Sequence, residues 1–478
     1  MIHNFIHNRR FIIKLFVFAF LINMSSCMLG PNFQRSKYEG PNKFQFDTSL
    51  TTQAVNLRWW ELFNEPELDT LINIALVNNK DVILAASRIE SARINMGYVK
   101  TEQYPSFYYS LGLSGKGISG KNSGSFNAYP QLSWEIGFWG KYRRMNEAAL
   151  AEYLSTKYAH RTIQIGLITA VASTYYSILA AEEQLSIAEK TLFSRDSAII
   201  IMQDKYDGGM ISLMDYNQAK IQRDIAAVAV PTYKRVVAMS ENSLNILLGN
   251  VPKNQDFITD FESCKYELDI PVGLPSELLE RRPDILMSEQ VYHSQLANIG
   301  VAEALRWPSL SLTGLMGASA DLAAFNAMGL TWSAGTSLFG PIFQFGRNKK
   351  RVELAKQAAL MAETDYEKTV IEAFRETEDA LISINTYRDE LKAQESRAET
   401  AINSESLSYI RYNEGSTTYL EVLEQQRQSF SAQLDLSNTR LKLLNSYILL
   451  YKALGGGWLS STEEEYYNND ALQQDSIK

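Results

Sequence analysis

Apolar positions along this chain follow two periods, one of about 3.5 residues and one of about 2, and each regime occurs twice. Between residues 141 and 206 apolar side chains recur at spacings of three, four and seven: Ile168, Val171, Tyr175, Ile178, Leu185, Ala188 and Leu192. That pattern predicts one long helix with a coiled-coil-like seam. Residues 347–412 predict a second helix of the same length. At 1.5 Å per residue, about 66 residues reach ~100 Å, beyond an ordinary globular domain. Helices of moderate length follow over 212–248 and 418–454. The latter carries Leu420, Leu423, Phe430, Leu434, Leu441, Leu444, Ile448 and Tyr451 along its seam. A further helix opens each half, over 66–102 and 283–305. Ala, Ser, Gln and Glu fill the other faces, as on helices with one side in water.

The second regime lies between these helices. Phe107, Tyr109, Leu111 and Leu113 alternate with Tyr108, Ser110, Gly112 and Ser114. Phe126, Ala128, Leu132, Trp134 and Ile136 alternate with Asn127, Tyr129, Gln131, Ser133 and Glu135. Leu310 and Leu312 alternate with Ser311 and Thr313, and Leu330, Trp332, Ala334 and Leu338 with Thr331, Ser333, Gly335 and Ser337. Four strands of about ten residues, apolar on one face and small-polar on the other, fit tilted transmembrane strands between lipid and water. An antiparallel sheet lying on a soluble core would alternate in the same way. Open edges are not tolerated in lipid, and four strands cannot enclose a water-filled lumen. If the strands span a membrane, the barrel is shared between copies, and three copies give twelve strands, an even number within the known range.

The halves are copies of each other. Asp81-Val-Ile-Leu matches Asp284-Ile-Leu-Met, Asn95 and Gly97 match Asn298 and Gly300, and Tyr104-Pro105-Ser106 matches Trp307-Pro308-Ser309. Trp139-Gly140-Lys141 matches Phe345-Gly346-Arg347, and Tyr206-Asp-Gly-Gly209 matches Tyr412-Asn-Glu-Gly415. One period per half chain is duplication of a whole unit, unlike a short solenoid repeat. The organisation expected is a segment 1–26, an N-terminal extension 27–65, a first repeat 66–248, a linker 249–282, a second repeat 283–454 and a polar tail 455–478.

Residues 1–26 have the form of a processing signal. Arg9, Arg10 and Lys14 precede an apolar stretch, Leu15–Ile22, too short to span a bilayer. Met24-Ser25-Ser26-Cys27 follows, resembling a bacterial lipobox in which the cysteine becomes the acylated first residue, with Met24 where leucine is usual. Cys27 is therefore the expected lipidation site. Cys264 is then left without an intramolecular partner, so the fold cannot depend on a disulfide.

Composition narrows the function. Hydrophobic residues are 45% of the 478 and charged residues 21%, enough for a large core and against global disorder. Net charge is −8, and removing residues 1–26 takes away three cations and no acid, giving −11, which argues against nucleic acid. Four histidines and two cysteines leave little for a metal site. Gly115 to Lys121 has P-loop glycine and lysine spacing but ends in Asn122 where Ser or Thr would hold magnesium. Met202, Met210 and Met214 cluster in sequence, and methionine at helical spacing is usually packing. No catalytic residue, metal or cofactor is expected beyond covalent lipid on Cys27.

Several longer motifs carry a resemblance. Cys27-Met-Leu-Gly30-Pro31-Asn-Phe, Trp59-Trp60-Glu-Leu-Phe63 with Pro66-Glu-Leu68, Gly273-Leu-Pro275-Ser-Glu-Leu-Leu-Glu-Arg281-Arg282-Pro283-Asp284, and Tyr451-Lys-Ala-Leu-Gly455-Gly-Gly-Trp458 occur in order. Over nearly the whole mature chain they resemble the TolC-like outer membrane factors, in the lipid-anchored NodT-type branch serving resistance–nodulation–division (RND) efflux pumps. The resemblance implies a mainly α chain with a transmembrane β portion. Three copies would share a 12-stranded barrel and a periplasmic helical barrel, with a mixed belt from 28–65, 249–275 and 455–478. It implies an outer membrane conduit for small molecules, with a periplasmic adaptor and an inner-membrane RND pump as partners. A channel for type I protein secretion and a structural periplasmic lipoprotein are the alternatives.

Two turns and one helix face carry the candidate mechanism. Gly209 can end a helix in a left-handed conformation, with Ser212 and Asp215 spaced as N-cap and N3 of the next. Gly415, with Thr418 and Glu421, repeats the arrangement and predicts a fuller capping box. By resemblance, the tips at 206–216 and 412–421 meet the adaptor. Leu420, Glu424 and Arg427 stand at i, i+4 and i+7 on one face, and Glu424 and Arg427 can pair within the helix. By resemblance this face narrows the channel, with Glu424 where family members commonly have Asp.

Overall fold

The structure, a computed structural model, describes residues 28–35, 45, 63–118, 121–255, 257–268, 281–321 and 329–456. Cys27, the signal segment, Trp59 and Trp60 with most of the N-terminal extension, linker residues 269–280 and the tail after Gly456 therefore lie outside the described residues. The elements run α1 (Pro66–Asn78), α2 (Lys80–Thr101), β1 (Ser106–Ile118), β2 (Lys121–Ile136), α3 (Lys141–Asp207), α4 (Leu213–Leu247), α5 (Pro283–Ala304), β3 (Ser309–Asp321), β4 (Gly329–Phe339), α6 (Arg347–Asn413) and α7 (Tyr419–Ala453). A 3-10 turn at Phe261–Ser263 precedes α5. The two long helices have 67 residues each and the two that follow them 35 each, so the duplicated halves agree in element length.

One expectation fails. The first half does not open with a single helix over 66–102, because Asn79 breaks it. Asn79 is extended at ψ 131°, and its Oδ1 accepts the backbone N–H groups of Asp81 at 2.9 Å and Val82 at 3.2 Å. Its Nδ2 donates to the Leu247 carbonyl at 2.9 Å. The side chain thus caps α2 and ties the break to the end of α4, which an uninterrupted helix would prevent.

The chain divides into two compact units. The first holds 1–38, 87–158 and 286–369 and contains the sheet. Its strands form an antiparallel meander in the order β1-β2-β3-β4. Register shows whether the four alternations share a face. Phe107 lies opposite Leu132 and Leu111 opposite Ala128. Trp134 lies opposite Leu312, and Met316 opposite Trp332, Ala318 opposite Leu330 and Leu310 opposite Leu338. Every apolar set predicted strand by strand therefore falls on one face, and the Ser, Thr, Gly, Asn and Gln sets fall on the other. Among the described residues β1 and β4 each pair on one side only.

The second unit holds 39–86, 159–285 and 370–478. Leu68, Ile72, Ile168, Tyr175, Ile178, Leu244, Leu444 and Ile448 make its core, so most of the predicted seams of α3 and α7 faces inward; Leu420, the first residue of the predicted α7 seam, does not, being 58% exposed. Two of the motif segments meet here. Arg282 is 4% exposed and forks onto Asp284 at 2.6 and 3.0 Å. It also reaches Glu376 at 2.8 Å and the Ala453 carbonyl at 3.0 Å. One guanidinium thus fastens the start of α5 to α6 and to the end of α7. Cys264 is a buried free thiol in the same unit.

Candidate functional site

The turns joining α3 to α4 and α6 to α7 lie together in the second unit. Both are glycine-ended. Gly209 has φ +70° and Gly415 φ +73°. The Met210 N–H reaches the Lys205 carbonyl at 2.8 Å and Gly209 that of Tyr206 at 2.9 Å; Ser416 reaches Arg411 at 2.8 Å and Gly415 reaches Tyr412 at 3.0 Å. These are paired Schellman closures, which need the left-handed residue that the sequence supplies.

The N-caps differ between the copies. At Ser212 the box is complete: its Oγ accepts from Asp215 N at 3.2 Å, and its own N–H donates to Asp215 Oδ2 at 3.3 Å. Thr418 makes no side-chain cap bond, contrary to the predicted box. Glu421 is drawn elsewhere, accepting from the Thr417 hydroxyl and from Arg411 Nη1 at 2.7 Å. The carboxylate prefers a cation on the preceding helix to the backbone N–H of Thr418.

Under the tips lies a small core of Met202, Ala219, Tyr419, Val422 and Leu423, with Tyr216, Tyr409 and Tyr412 packed against it. Lys205 Nζ donates to the Tyr412 hydroxyl at 3.0 Å and lies 4.6 Å from that ring's centre, which ties one hairpin to its duplicate. Met202 is packing, as predicted. Met210 and Met214 are not, being 78% and 69% exposed. In the repeat Met214 is the counterpart of Leu420, itself 58% exposed. Leu213, at 52%, is exposed beside Met214, so both hairpins offer large apolar side chains to their surroundings just past their caps.

Leu420, Glu424 and Arg427 lie on one face of α7, close behind that tip. Arg427 Nη2 donates to Glu424 Oε2 within the helix, and Gln428 Nε2 donates to Oε1 at 2.9 Å. The Gln428 bond, then the Arg427 bond, hold the Glu424 carboxyl below its ordinary range. A residue that sequence reasoning passed over stands inside this region. Arg195, 3% exposed, donates to the backbone carbonyls of Gln222 and, at 3.3 Å, Gln426, and its guanidinium lies 5.2 Å from the Phe430 ring centre. It joins α3, α4 and α7, and burial lowers its basicity. Arg195 sits between Ser194 and Asp196 in a polar stretch of α3, so the local sequence carries no signal of its burial.

The described elements are thus two pairs of long helices and a four-stranded meander whose outer strands are β1 and β4. The sequence profile of the outer membrane efflux protein family matches residues 71–250 and 274–456. The chain belongs to that family. Two matched segments, one in each half, mirror the duplication. The chain is 32% identical to the toluene efflux pump outer membrane protein TtgC of Pseudomonas putida, with 98% of each chain covered. It is 30% identical to the cation efflux system protein CusC of Escherichia coli, over 93% of this chain and 99% of that one. Its fold matches the crystal structure of the Campylobacter jejuni CmeC outer membrane channel with a TM-score of 0.84 at 25% identity, covering 93% and 98% of the two chains. The fold is that of the TolC-like outer membrane channels.

Proposed function

We propose that this protein is the outer membrane channel of a tripartite efflux pump, a passive conduit that works without a catalytic residue or cofactor. The observation that carries the reading is the sheet. Its register gathers the predicted apolar sets on one face and the mostly small polar sets, with Tyr108, Tyr129 and Leu315 among them, on the other, and among the described residues its two outer strands each lack a neighbour on one side. A lipid-facing sheet cannot end at open edges, so three copies close a twelve-stranded barrel. Energy comes from an inner-membrane RND pump, coupled through a periplasmic adaptor at the hairpin tips. Gly209, Ser212 and Asp215, with Gly415, Thr418 and Glu421, shape those tips. Cys27 carries lipid. TtgC is named for toluene and CusC for cations, so relatives of similar likeness differ in cargo, and the pump sets the substrate.

Leu420, Glu424 and Arg427 form the resting constriction in this reading. Leu420 narrows the pore with an apolar ring that resists wetting. Glu424 and Arg427 bond within their own helix here, and at the pore they exchange partners with the neighbouring copy. Single-channel conductance in planar bilayers tests the proposal. Wild-type trimers conduct poorly, Glu424→Ala with Arg427→Ala conducts more, and adding Leu420→Ala more again. Glu424→Arg with Arg427→Glu partly restores closure. A double alanine variant that stays trimeric by native mass spectrometry and conducts no better than wild type removes the gate. Monomers that conduct ions remove the shared barrel. Radiolabelled palmitate entering Cys27→Ala as strongly as wild type removes the lipid anchor.

A further inference from the structure

Where the strands give way to helices, the first compact unit holds a cleft of about 350 Å³. Trp139, Trp307, Phe339 and Pro341 supply apolar lining, and Arg347, Arg351 and the Lys141–Glu135 ion pair, at 3.0 Å, supply charge. The wall is rigid on one side. Trp139 Nε1–H donates to the Pro308 carbonyl at 2.8 Å, and its ring packs on Trp307 with centroids 5.0 Å apart. Phe339, and Phe343 and Phe345 just beyond it in the chain, are largely exposed. A volume at the small end of the ~300–1,000 Å³ typical of ligand pockets suits one slender apolar chain with a polar end.

The N-terminal segment is held beside this wall. Arg144, 1% exposed, donates to the carbonyls of Leu29 at 2.9 Å and Gly30 at 3.0 Å, to Asn32 Oδ1 at 2.9 Å and to Glu147 at 2.7 Å. Leu29 N–H reaches the Trp139 carbonyl at 3.4 Å. Close approach is built in on both sides. A Cβ at Gly300 would sit 2.5 Å from the Leu29 oxygen, and one at Gly140 would sit 3.0 Å from Met28 Cα. Gly97, the duplicate of Gly300, has nothing within 4 Å, so the first copy is not shaped for such a strap. Met28 is therefore fixed against the turn that carries Trp139, and the next residue back is Cys27, one Cα–Cα step of about 3.8 Å away.

We propose that the cleft receives an acyl chain of lipidated Cys27, and that Arg144 is the positioning residue that directs it there. The proposal rests on the lipid anchor argued above. Tethering gives this chain a far higher effective concentration at the cleft than a free lipid has. The apolar lining matches the alkyl segment, and Arg347 and Arg351 match the ester oxygens at its head. The small volume admits one chain and leaves the others for the bilayer, so the anchor joins protein and membrane at the base of the strands.

Cells are grown on a palmitate analogue bearing a diazirine, the full-length protein is irradiated in its membrane, and cross-linked peptides are mapped by mass spectrometry. Wild type should show acyl cross-links within its own chain to peptides spanning 137–141, 304–309 and 339–348. Cys27→Ala should lose them, and Arg144→Ala should lower them at least fivefold with the lipid mass on the N-terminal peptide unchanged. Equal cross-linking in Cys27→Ala means that bilayer lipid fills the cleft, and cross-links between chains mean that a neighbouring copy's lipid does; either overturns the proposal. Cys27 bearing lipid mass but cross-linking only to lipid or strand residues overturns the seating alone. Wild type without lipid mass on Cys27 overturns the anchor and the seating together. Unchanged cross-linking in Arg144→Ala removes that residue's role, with Arg144→Lys as the milder variant should alanine fail to assemble.

Discussion

Arg195→Met is the sharpest test of how the hairpin tips are held. The substitution keeps most of the aliphatic stem and removes the guanidinium that bridges α3, α4 and α7. Charge-assisted hydrogen bonds contribute ~1.5–3 kcal/mol each, and a desolvated cation over an aromatic ring about 2 kcal/mol. Two corrections reduce the sum. Burying the cation costs desolvation, visible in its lowered basicity, and the Gln222 and Gln426 carbonyls lie inside helices, where each keeps a backbone partner. A net loss of about 2 kcal/mol remains, which at ~1.36 kcal/mol per decade is a roughly 30-fold rise in local opening. Hydrogen–deuterium exchange by mass spectrometry reads it directly. Peptides over 190–200, 216–226 and 419–430 should exchange about 30-fold faster, while those around Tyr175 and Leu444 stay at the wild-type rate. Exchange at the tip within threefold of wild type would refute the reasoning, and equal acceleration around Tyr175 would mean that Arg195 supports the whole unit.

The two N-caps should separate in the same assay: Ser212→Ala should cost about 1 kcal/mol at the start of α4, whereas Thr418→Ala, which removes no cap bond, should leave the start of α7 nearly unchanged. Glu65 offers a pH test. Burial first, opposed by a bond from Cys264, raises its pKa above the ordinary 4.5. Its contribution to folding is therefore complete below 4.5 and lost as pH rises through the folded value. Glu65→Gln, which retains an acceptor for the Tyr175 hydroxyl, should raise Tm more at pH 7 than at pH 4; an equal change at both would show that ionisation of Glu65 is not the cause.

Much of the fold was legible because periodicity and duplication report on the same elements. The long helices ended within a residue of their predicted bounds because Gly209 and Gly415 admit the left-handed turn. The strands were legible as alternations, but their common face required the register, which no single strand encodes. The break at Asn79 was missed because its cap bonds reach partly to α4, a contact remote in sequence. Thr418 misled for a related reason: the box spacing is present, yet Arg411 competes for Glu421 from another helix. At the candidate site, helical spacing shows only that Leu420, Glu424 and Arg427 share a face, and their choice as a constriction came from the family resemblance. Arg195 has no such signal, since an isolated arginine reveals its role only when three helices converge on it. Arg144 was hidden in the same way, because its partners in 29–32 have no regular structure to give them a pattern.

The unpaired outer edges of β1 and β4 carry a genetic consequence. In the proposed trimer, pairing of one copy's β4 with the next copy's β1 would be a head-to-tail contact, in which every subunit serves as both donor and acceptor of an edge. A variant whose β4 edge is spoiled, by a proline for instance, can still present an intact β1 and be recruited, but it cannot pass the ring on. With three subunits drawn at random from equal pools of both alleles, only about one ring in eight would be free of the defective copy. Such an allele should be dominant over the wild type beside it, while a null allele that makes no protein should be recessive.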